Sequence, residues 1–348
     1  MTVKITNEYI STPNIIDLRQ YDLLSDAINT IGNNEVTLLI ADEFVIDADI
    51  TIPENIKLKF EKGGKFNVLS GYTLTLNCPI EAGLYEIFTG DGTITGDPKI
   101  EAVYPEWFGA KGDGVTDDTE AIQRAVNSFD FVVCLKQYVV NKMIELGANR
   151  TLKVLGRLIR LSDTTSEPVV WLKGNYAVLE GPGEIKSQGP SSDGIVLIGH
   201  RDLTQSHDNV LWCALKDLHI SGRFEYGVTS GVEDICVNLV NPQFDGLSSY
   251  FHTLNNLVLS NANVGIALQG WANANSISNI VLYKIGNADG GRKGIWINGA
   301  QENIIYDVFH HYSPDSYTIV VDELDNTSNN GNLHRSRYNF LSNIISEQ

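Results

Sequence analysis

Two short phrases alternate through the second half of this chain. One opens with Asn or Asp and continues apolar, any, apolar. Asp217 leads Leu-His-Ile, Asn256 leads Leu-Val-Leu, Asn279 leads Ile-Val-Leu, Asp307 leads Val-Phe-His and Asn343 leads Ile-Ile-Ser. The other opens with Gly: Gly194 before Ile-Val-Leu-Ile, Gly227 before Val-Thr, Gly265 before Ile-Ala-Leu-Gln and Gly294 before Ile-Trp-Ile-Asn, with Thr318-Ile-Val-Val a weaker copy. Apolar residues two apart within four or five positions read as short strands. Successive copies of the Asn/Asp phrase lie 23 to 39 residues apart, in the range of solenoid repeats. Each strand is too short to bury its apolar side alone. Stacked at ~4.8 Å, such strands form parallel sheets around one continuous core. Isoleucines at the same inward place (Ile195, Ile266, Ile295, Ile319) are expected to form an aliphatic ladder. Asn and Asp at the corners suit left-handed turns. A β-sandwich predicts hairpin turns of the Asn-Gly or Asp-Gly kind between matched strands, and these are scarce here.

Earlier segments fit the same picture. KLKF, TLTLN, GTITG, LKVLG, AVLEG and GIVLIG are β-runs broken by Gly, Asn and Asp, while helical periodicity is confined to residues 17–31 and 117–128. With 348 residues, 43% hydrophobic and 20% charged, the composition is that of a folded body. The net charge of -18 argues against non-specific binding to nucleic acid or an anionic membrane. It also means that an anionic substrate needs a local basic patch. Cys78, Cys134, Cys213 and Cys236 are scattered, which favours buried thiols over a disulfide framework or a zinc site. No cofactor or metal is expected, no signal peptide is evident, and no apolar run approaches the ~20 residues of a membrane span.

The stretch YPEWFGAKGDGVTDDTEAIQRAV, residues 104–126, sets three acids in a glycine-rich loop before a helix. It lacks the residue order of a calcium loop and of a phosphate loop. Helix-start signals dominate. Asp117 is expected as N-cap, with Glu120 completing a capping box, and Ala121, Ile122, Ala125 and Val126 form one apolar stripe. A lone helix with one apolar face, placed before a solenoid, is expected to cap its open end.

This stretch resembles the opening motif of the pectate-lyase-like right-handed β-helix superfamily, as found in bacteriophage tailspikes. Residues ~37–128 together resemble the head segment and motif of phage tailspike and depolymerase proteins. The resemblance implies an all-β chain: a right-handed parallel β-helix over residues 104–348 with a capping helix near 117–128, after a small β-rich head over residues 1–103. It implies a homotrimer of the virion tail or extracellular space that binds and cleaves a bacterial capsular or exopolysaccharide. The NTD, GHG and RIK signatures of the hydrolytic polygalacturonase relatives are absent, so no catalytic residue transfers. The chain reaches Gln348 still in the rung pattern, which implies a minimal cap or a further trimerisation segment.

Candidate site residues therefore come from outward positions. Hydrolysis needs two carboxylates, and β-elimination of a uronate needs a base and a cation. Glu225, Glu233 and Asp234 flank one strand and are the acid candidates, with His219 and Arg223 beside them. Asp217 and Asp307 read as turn residues. Trp296 and Asn298 alternate outward with inward Ile295 and Ile297, and Trp296 is a candidate sugar platform. Its outward neighbours in other rungs are expected to be Thr229, Ala267, Gln269, Val320 and Asp322. Gln269, Arg292, Lys293, Tyr250 and His252 complete the candidate substrate-binding set. Of the two histidines in FHHYSPDS, at least one is expected to face the core. The function read here is hydrolysis of a bacterial surface polysaccharide. A polysaccharide lyase, a non-catalytic receptor-binding protein and a structural fibre segment are the alternatives.

Overall fold

The computed structural model describes residues 14–161, 166–200, 210–223, 234–241, 249–286, 293–311, 317–322 and 338–347. The chain divides into two compact units, Met1–Gly109 and Ala110–Gln348.

The first unit is itself built of parallel strands. Val36–Ile40, Ile56–Phe60 and Ile80–Glu81 lie side by side, with Ile15–Asp17 on the outer edge. Glu43–Ile46, Lys65–Val68 and Phe88–Thr89 form a second sheet, and Ile50–Ile52, Thr73–Leu76 and Thr93–Thr95 a third. The path thus visits three sheets in the same order three times. Alternate residues are buried, for example Ile56, Leu58 and Phe60, as the two-residue strand period requires. Phe44, Phe66 and Phe88 share one register column.

In the second unit one long parallel sheet runs through Gln137–Val139, Arg157–Arg160, Glu184–Ser187, Ala214–Ser221, Thr253–Ala262, Ser276–Ile285, Ile304–His311 and Phe340–Glu347. A second parallel sheet takes one strand from each turn: Ile144–Leu146, Val170–Leu172, Val196–Gly199, Ile235–Asn241, Val264–Gly270, Lys293–Asn298 and Tyr317–Asp322. Short strands Val210–Leu211, Ser249–Tyr250 and Ala272–Asn273 add a third. The chain is all-β but for two α-helices among the described residues, α1 (Leu24–Ile31) and α2 (Thr119–Ser128).

The inward ladder of the second sheet is Val170, Val196, Val237, Ile266, Ile295 and Ile319. Two expectations shift here. Ile195 is buried but sits one place before the ladder, because Gly194 turns the chain at φ 97 immediately ahead of the strand. The Gly227-Val-Thr phrase lies outside the described residues, and the strand that fills that turn of the coil is Ile235–Asn241. The outward neighbour of Ala267 is therefore Asn238, not Thr229.

Two columns of left-handed residues make the corners. Asp217, Asn256, Asn279, Asp307 and Asn343 have φ between 49 and 59 and bend each long strand in its middle. Asn256 donates its side-chain amide to Asp217 Oδ1 at 2.8 Å, linking neighbouring turns. Five positions earlier in each turn stand Trp212, Phe251, Ala274, Glu302 and Tyr338, with φ 61, 64, 54, 58 and 58. Tyr176 (φ 60) and Asn149 (φ 59) continue that column one and two turns back.

Immediately inside the second column runs a buried polar ladder. Asn275 Oδ1 accepts the His252 N–H at 2.9 Å, Asn303 Oδ1 accepts the Asn275 N–H at 3.0 Å, and Asn339 Oδ1 accepts the Asn303 N–H at 3.0 Å. His252 continues it, its Nδ1 accepting the Cys213 N–H at 3.1 Å. Turn backbones bent out of the sheet ladder need such acceptors. All four cysteines are buried thiols. Burial pushes Cys78 and Cys213 up to about 12.

α2 seals the first turn of this unit. Ile122, Ala125 and Val126 are buried, while Ala121 stands at the margin. The Gln123 amide pairs with the edge of Ile144–Leu146: its Oε1 accepts the Glu145 N–H at 2.8 Å and its Nε2 donates to the Glu145 carbonyl at 3.1 Å. One side chain thus substitutes for a missing strand. The capping box does not form. Asp118 is the N-cap, and its carboxylate instead accepts the Lys111 and Gly112 N–H groups at 2.6 and 3.0 Å. Asp117 Oδ1 accepts the Thr119 N–H at 3.0 Å. Asp113 accepts the Val115 and Thr116 N–H groups, which hold its carboxyl down at about 2. All three acids of the loop therefore serve backbone donors.

Candidate functional site

Asp234 is almost wholly buried. Its carboxylate accepts the Ser191 N–H at 2.7 Å and pairs with Arg223 Nε at 2.8 Å. Its carbonyl accepts the Asn263 and Val264 N–H groups. It clasps three segments, and its carboxylate is taken up by the Ser191 N–H and Arg223, so the geometry makes it a structural residue. Glu225, Glu233 and Arg292 lie outside the described residues.

His252 is also a correction to the sugar-binding set. It is buried, its Nδ1 belongs to the polar ladder, and its Nε2 lies 2.9 Å from Ser249 Oγ. Burial drives its imidazole down to about 3, so it is neutral. In the FHHYSPDS segment, His310 faces inward and is held down to about 4 by burial, while His311 stacks on Tyr283 and Phe309.

Trp296 sits in a packed wall. Its ring lies against the buried cluster of Ile235, Val264 and Ala267. Its indole N–H donates to Asp322 Oδ2 at 2.8 Å, and Lys293 Nζ rests 3.7 Å from the ring centroid. A sugar stacking on that ring competes with Lys293, whose cation–π contact contributes about 0.5–1 kcal/mol at exposed sites. Asn298 is half-buried beside Asp322, and Gln269 donates to Asn238 Oδ1 at 2.9 Å. The outward column before Trp296 is Leu197, Asn238 and Ala267, exposed by 2, 4 and 0%. That column is therefore closed to solvent over three turns.

The long sheet presents a different face. His219 points outward between Glu184 and Ser260. Its Nε2 lies 2.8 Å from Ser260 Oγ and its Nδ1 3.8 Å from Glu184 Oε1. Glu184 also pairs with Arg157 Nε at 2.8 Å and accepts the Ser221 hydroxyl at 2.9 Å. Burial outweighs the attraction of Glu184 and lowers the His219 pKa, so its imidazole is neutral near pH 7. Hydroxyl, imidazole and carboxylate in a row is the order used for acyl transfer. However, Ser260 is 2% exposed and the Glu184 gap exceeds a hydrogen bond. The row acts as a polar ladder that ties neighbouring strands.

A run of exposed aromatic residues lies on the left-handed corner. Tyr176, Trp212 and Phe251 occupy three successive turns and are 55, 50 and 41% exposed. The Trp212 and Phe251 rings stack with centroids 4.5 Å apart and planes 18° apart. Tyr250 meets Phe251 edge-on at 6.0 Å. Large side chains at positive φ are uncommon and carry of order 1–3 kcal/mol of backbone strain each. A corner that only needed to turn is served by Asn, as in the other column. Strain plus exposed rings is the pattern of a contact surface. The sequence carried its signal. Aligning turns on Asp217, Asn256, Asn279, Asp307 and Asn343 and reading five places back gives Trp212, Phe251, Ala274, Glu302 and Tyr338. Among the described residues, no group of three or more His, Cys, Asp or Glu side chains could hold a metal.

By fold, then, the protein is an all-β chain of parallel strands stacked turn on turn. No protein-family model matches it, and no curated protein does. Among solved structures, it aligns with the crystal structure of a "putative glycosyl hydrolase" from Parabacteroides merdae, with a TM-score of 0.42 and 15% identity, over 71% of this chain and 96% of that one. At that distance the likeness says nothing of activity.

Proposed function

We propose that the protein is a phage tailspike-type depolymerase that binds a bacterial capsular or exopolysaccharide on its outer wall and hydrolyses it. The right-handed hand of the coil belongs to the same proposal, since parallel crossovers take that hand in about 98% of cases. A homotrimer in a virion tail or extracellular setting follows from the sequence resemblance over residues ~37–128. The observation that carries the reading is the exposed aromatic corner of Tyr176, Trp212 and Phe251 on a rigid scaffold. Rigid aromatic rings offer contact area to sugar rings at little entropic cost. An acidic chain of net charge -18 favours a polymer of low charge.

A non-catalytic receptor-binding role is the second reading. It draws on Asp234 and Glu184, each held by an arginine rather than presented to a substrate. Incubation with a panel of capsular polysaccharides, reading reducing ends and ultraviolet absorbance together, separates the outcomes. New reducing ends without an unsaturated product support hydrolysis. An unsaturated product assigns a lyase, and binding without either assigns a receptor-binding protein. Trp212→Ala is expected to weaken polymer binding by about 5- to 10-fold, from ~1 kcal/mol of aromatic contact. Unchanged affinity in that variant overturns the corner as the binding surface.

A further inference from the structure

The aromatic column is interrupted after Phe251. Beyond Phe251 the same corner position holds Ala274, then Glu302, then Tyr338, all in the left-handed conformation. Trp212 covers one face of the Phe251 ring. The next position on the other side carries only the methyl group of Ala274. Turns stack at ~4.8 Å, so the backbones of Phe251 and Glu302 stand about 10 Å apart. A ring laid on the Phe251 face turned away from Trp212 takes about 4 Å of that span. The remainder, about 6 Å, leaves room for a ring hydroxyl, its ~2.7 Å hydrogen bond and the carboxylate that accepts it. Tyr250 and Asn273 border the gap from the short sheet, and Asn273 Oδ1 accepts the Gln301 N–H at 2.6 Å.

We propose that Phe251, Ala274 and Glu302 form a slot for one uncharged hexopyranose residue. Its apolar face lies on the Phe251 ring above the Ala274 methyl group, and its hydroxyls donate to the exposed Glu302 carboxylate. The carboxylate wall selects against uronates, because like charges repel and neutral hydroxyls supply the donors that an acceptor-only group needs. This inference rests on the polysaccharide-binding reading and gives it a subsite.

The design of the test comes from the column itself. Tyr176, Trp212 and Phe251 show that this corner accepts an aromatic residue at φ 60, 61 and 64, so Ala274→Phe at φ 54 suits the backbone and fills the slot. Saturation-transfer NMR on the full chain with methyl β-D-glucopyranoside, methyl β-D-galactopyranoside and methyl β-D-glucuronide reads the subsite directly. At least one neutral glycoside is expected to bind wild type better than the glucuronide does. That signal is expected to fall about 5- to 10-fold in Ala274→Phe, and likewise in Phe251→Ala, which empties the stack instead of filling it. An unchanged urea midpoint confirms that each variant is folded. No neutral glycoside signal in wild type, a preference for the glucuronide, or undiminished binding in both variants overturns the slot. If the intact polymer still binds wild type in any of these cases, the polysaccharide reading stands without the slot. If no polymer binds either, both fall.

Discussion

Replacing Asn303 by alanine is expected to cost about 3–4 kcal/mol of folding stability in the second unit. Asn303 is fully buried. Its Oδ1 accepts both the backbone N–H and the side-chain amide of Asn275, at 3.0 and 2.9 Å, and its own amide donates to Asn339 Oδ1 at 3.0 Å. Alanine leaves the backbone N–H and one side-chain amide hydrogen of buried Asn275 without their partner, while Asn339 Oδ1 keeps the backbone N–H of residue 303. A buried polar group so stranded costs ~1–3 kcal/mol. The neighbouring Glu302→Ala removes an exposed side chain from the same turn and is expected to cost under ~0.5 kcal/mol. Urea unfolding of the full-length variants measures both. Equal, small losses show that the inner ladder is not what holds the corner.

Acid should destabilise the protein through its buried histidines, and His252→Asn should remove much of that sensitivity. His252 titrates at about 3 in the folded chain, against about 6.5 when exposed. The neutral form is thus favoured by folding. Stability is fully present above about pH 6.5 and is lost as pH falls from there toward the folded value, because the unfolded chain takes the proton first. Down to about pH 5 the loss follows the unfolded pKa alone and reaches ~2 kcal/mol for this residue. His310, held at about 4, adds a similar share. Asparagine is the residue used at the equivalent positions 275, 303 and 339, so it can accept the Cys213 N–H in place of the imidazole. It loses the contact to Ser249, about 1 kcal/mol near pH 7. Relative to wild type, the variant should gain ~2 kcal/mol between about pH 7.5 and pH 5. Unfolding curves of the two proteins that shift in parallel over that range disprove the assignment.

Much of the stacking was legible because burial writes a strict period into the chain. The corner Asn and Asp residues, the strand segments that follow them, and α2 with its apolar stripe all follow from local pattern. The slips come from places where local pattern is ambiguous. Ile195 and Val196 are both β-branched and both buried, and only the pairing of Val196 with Val237 decides which joins the ladder. The strand Ile235–Asn241 has an unbroken apolar opening, so periodicity alone does not set its register. The parallel order of the first unit was hidden by turns of only 20 to 24 residues with no Asn column.

The site was harder to read for a different reason. Strand alternation gives direction but not exposure: Leu197, Asn238 and Ala267 are outward and buried. Asp234 and His252 looked reactive by residue type, and both are fixed inside by backbone donors and ion pairing. The aromatic corner leaves no strand-period signal, because Trp212 and Phe251 fall just before the strands rather than within them. Only alignment of whole turns brings Trp212, Phe251, Ala274 and Glu302 into one column.

The central claim is that consecutive turns stack in parallel with the stated register, and engineered disulfide trapping tests it most directly. Ser276 and Ile304 are partners in adjacent strands on the outer surface. Parallel stacking brings their Cα atoms within the ~4.4–6.8 Å that a disulfide spans. In Ser276→Cys with Ile304→Cys, mild oxidation should join the two quantitatively and leave the protein folded. Ser276→Cys with His311→Cys should remain reduced, since seven residues of a strand bent at Asp307 separate His311 from that partner, at most roughly 23 Å and well beyond disulfide reach. Cross-linking of the second pair but not the first means antiparallel strands, and contradicts the account.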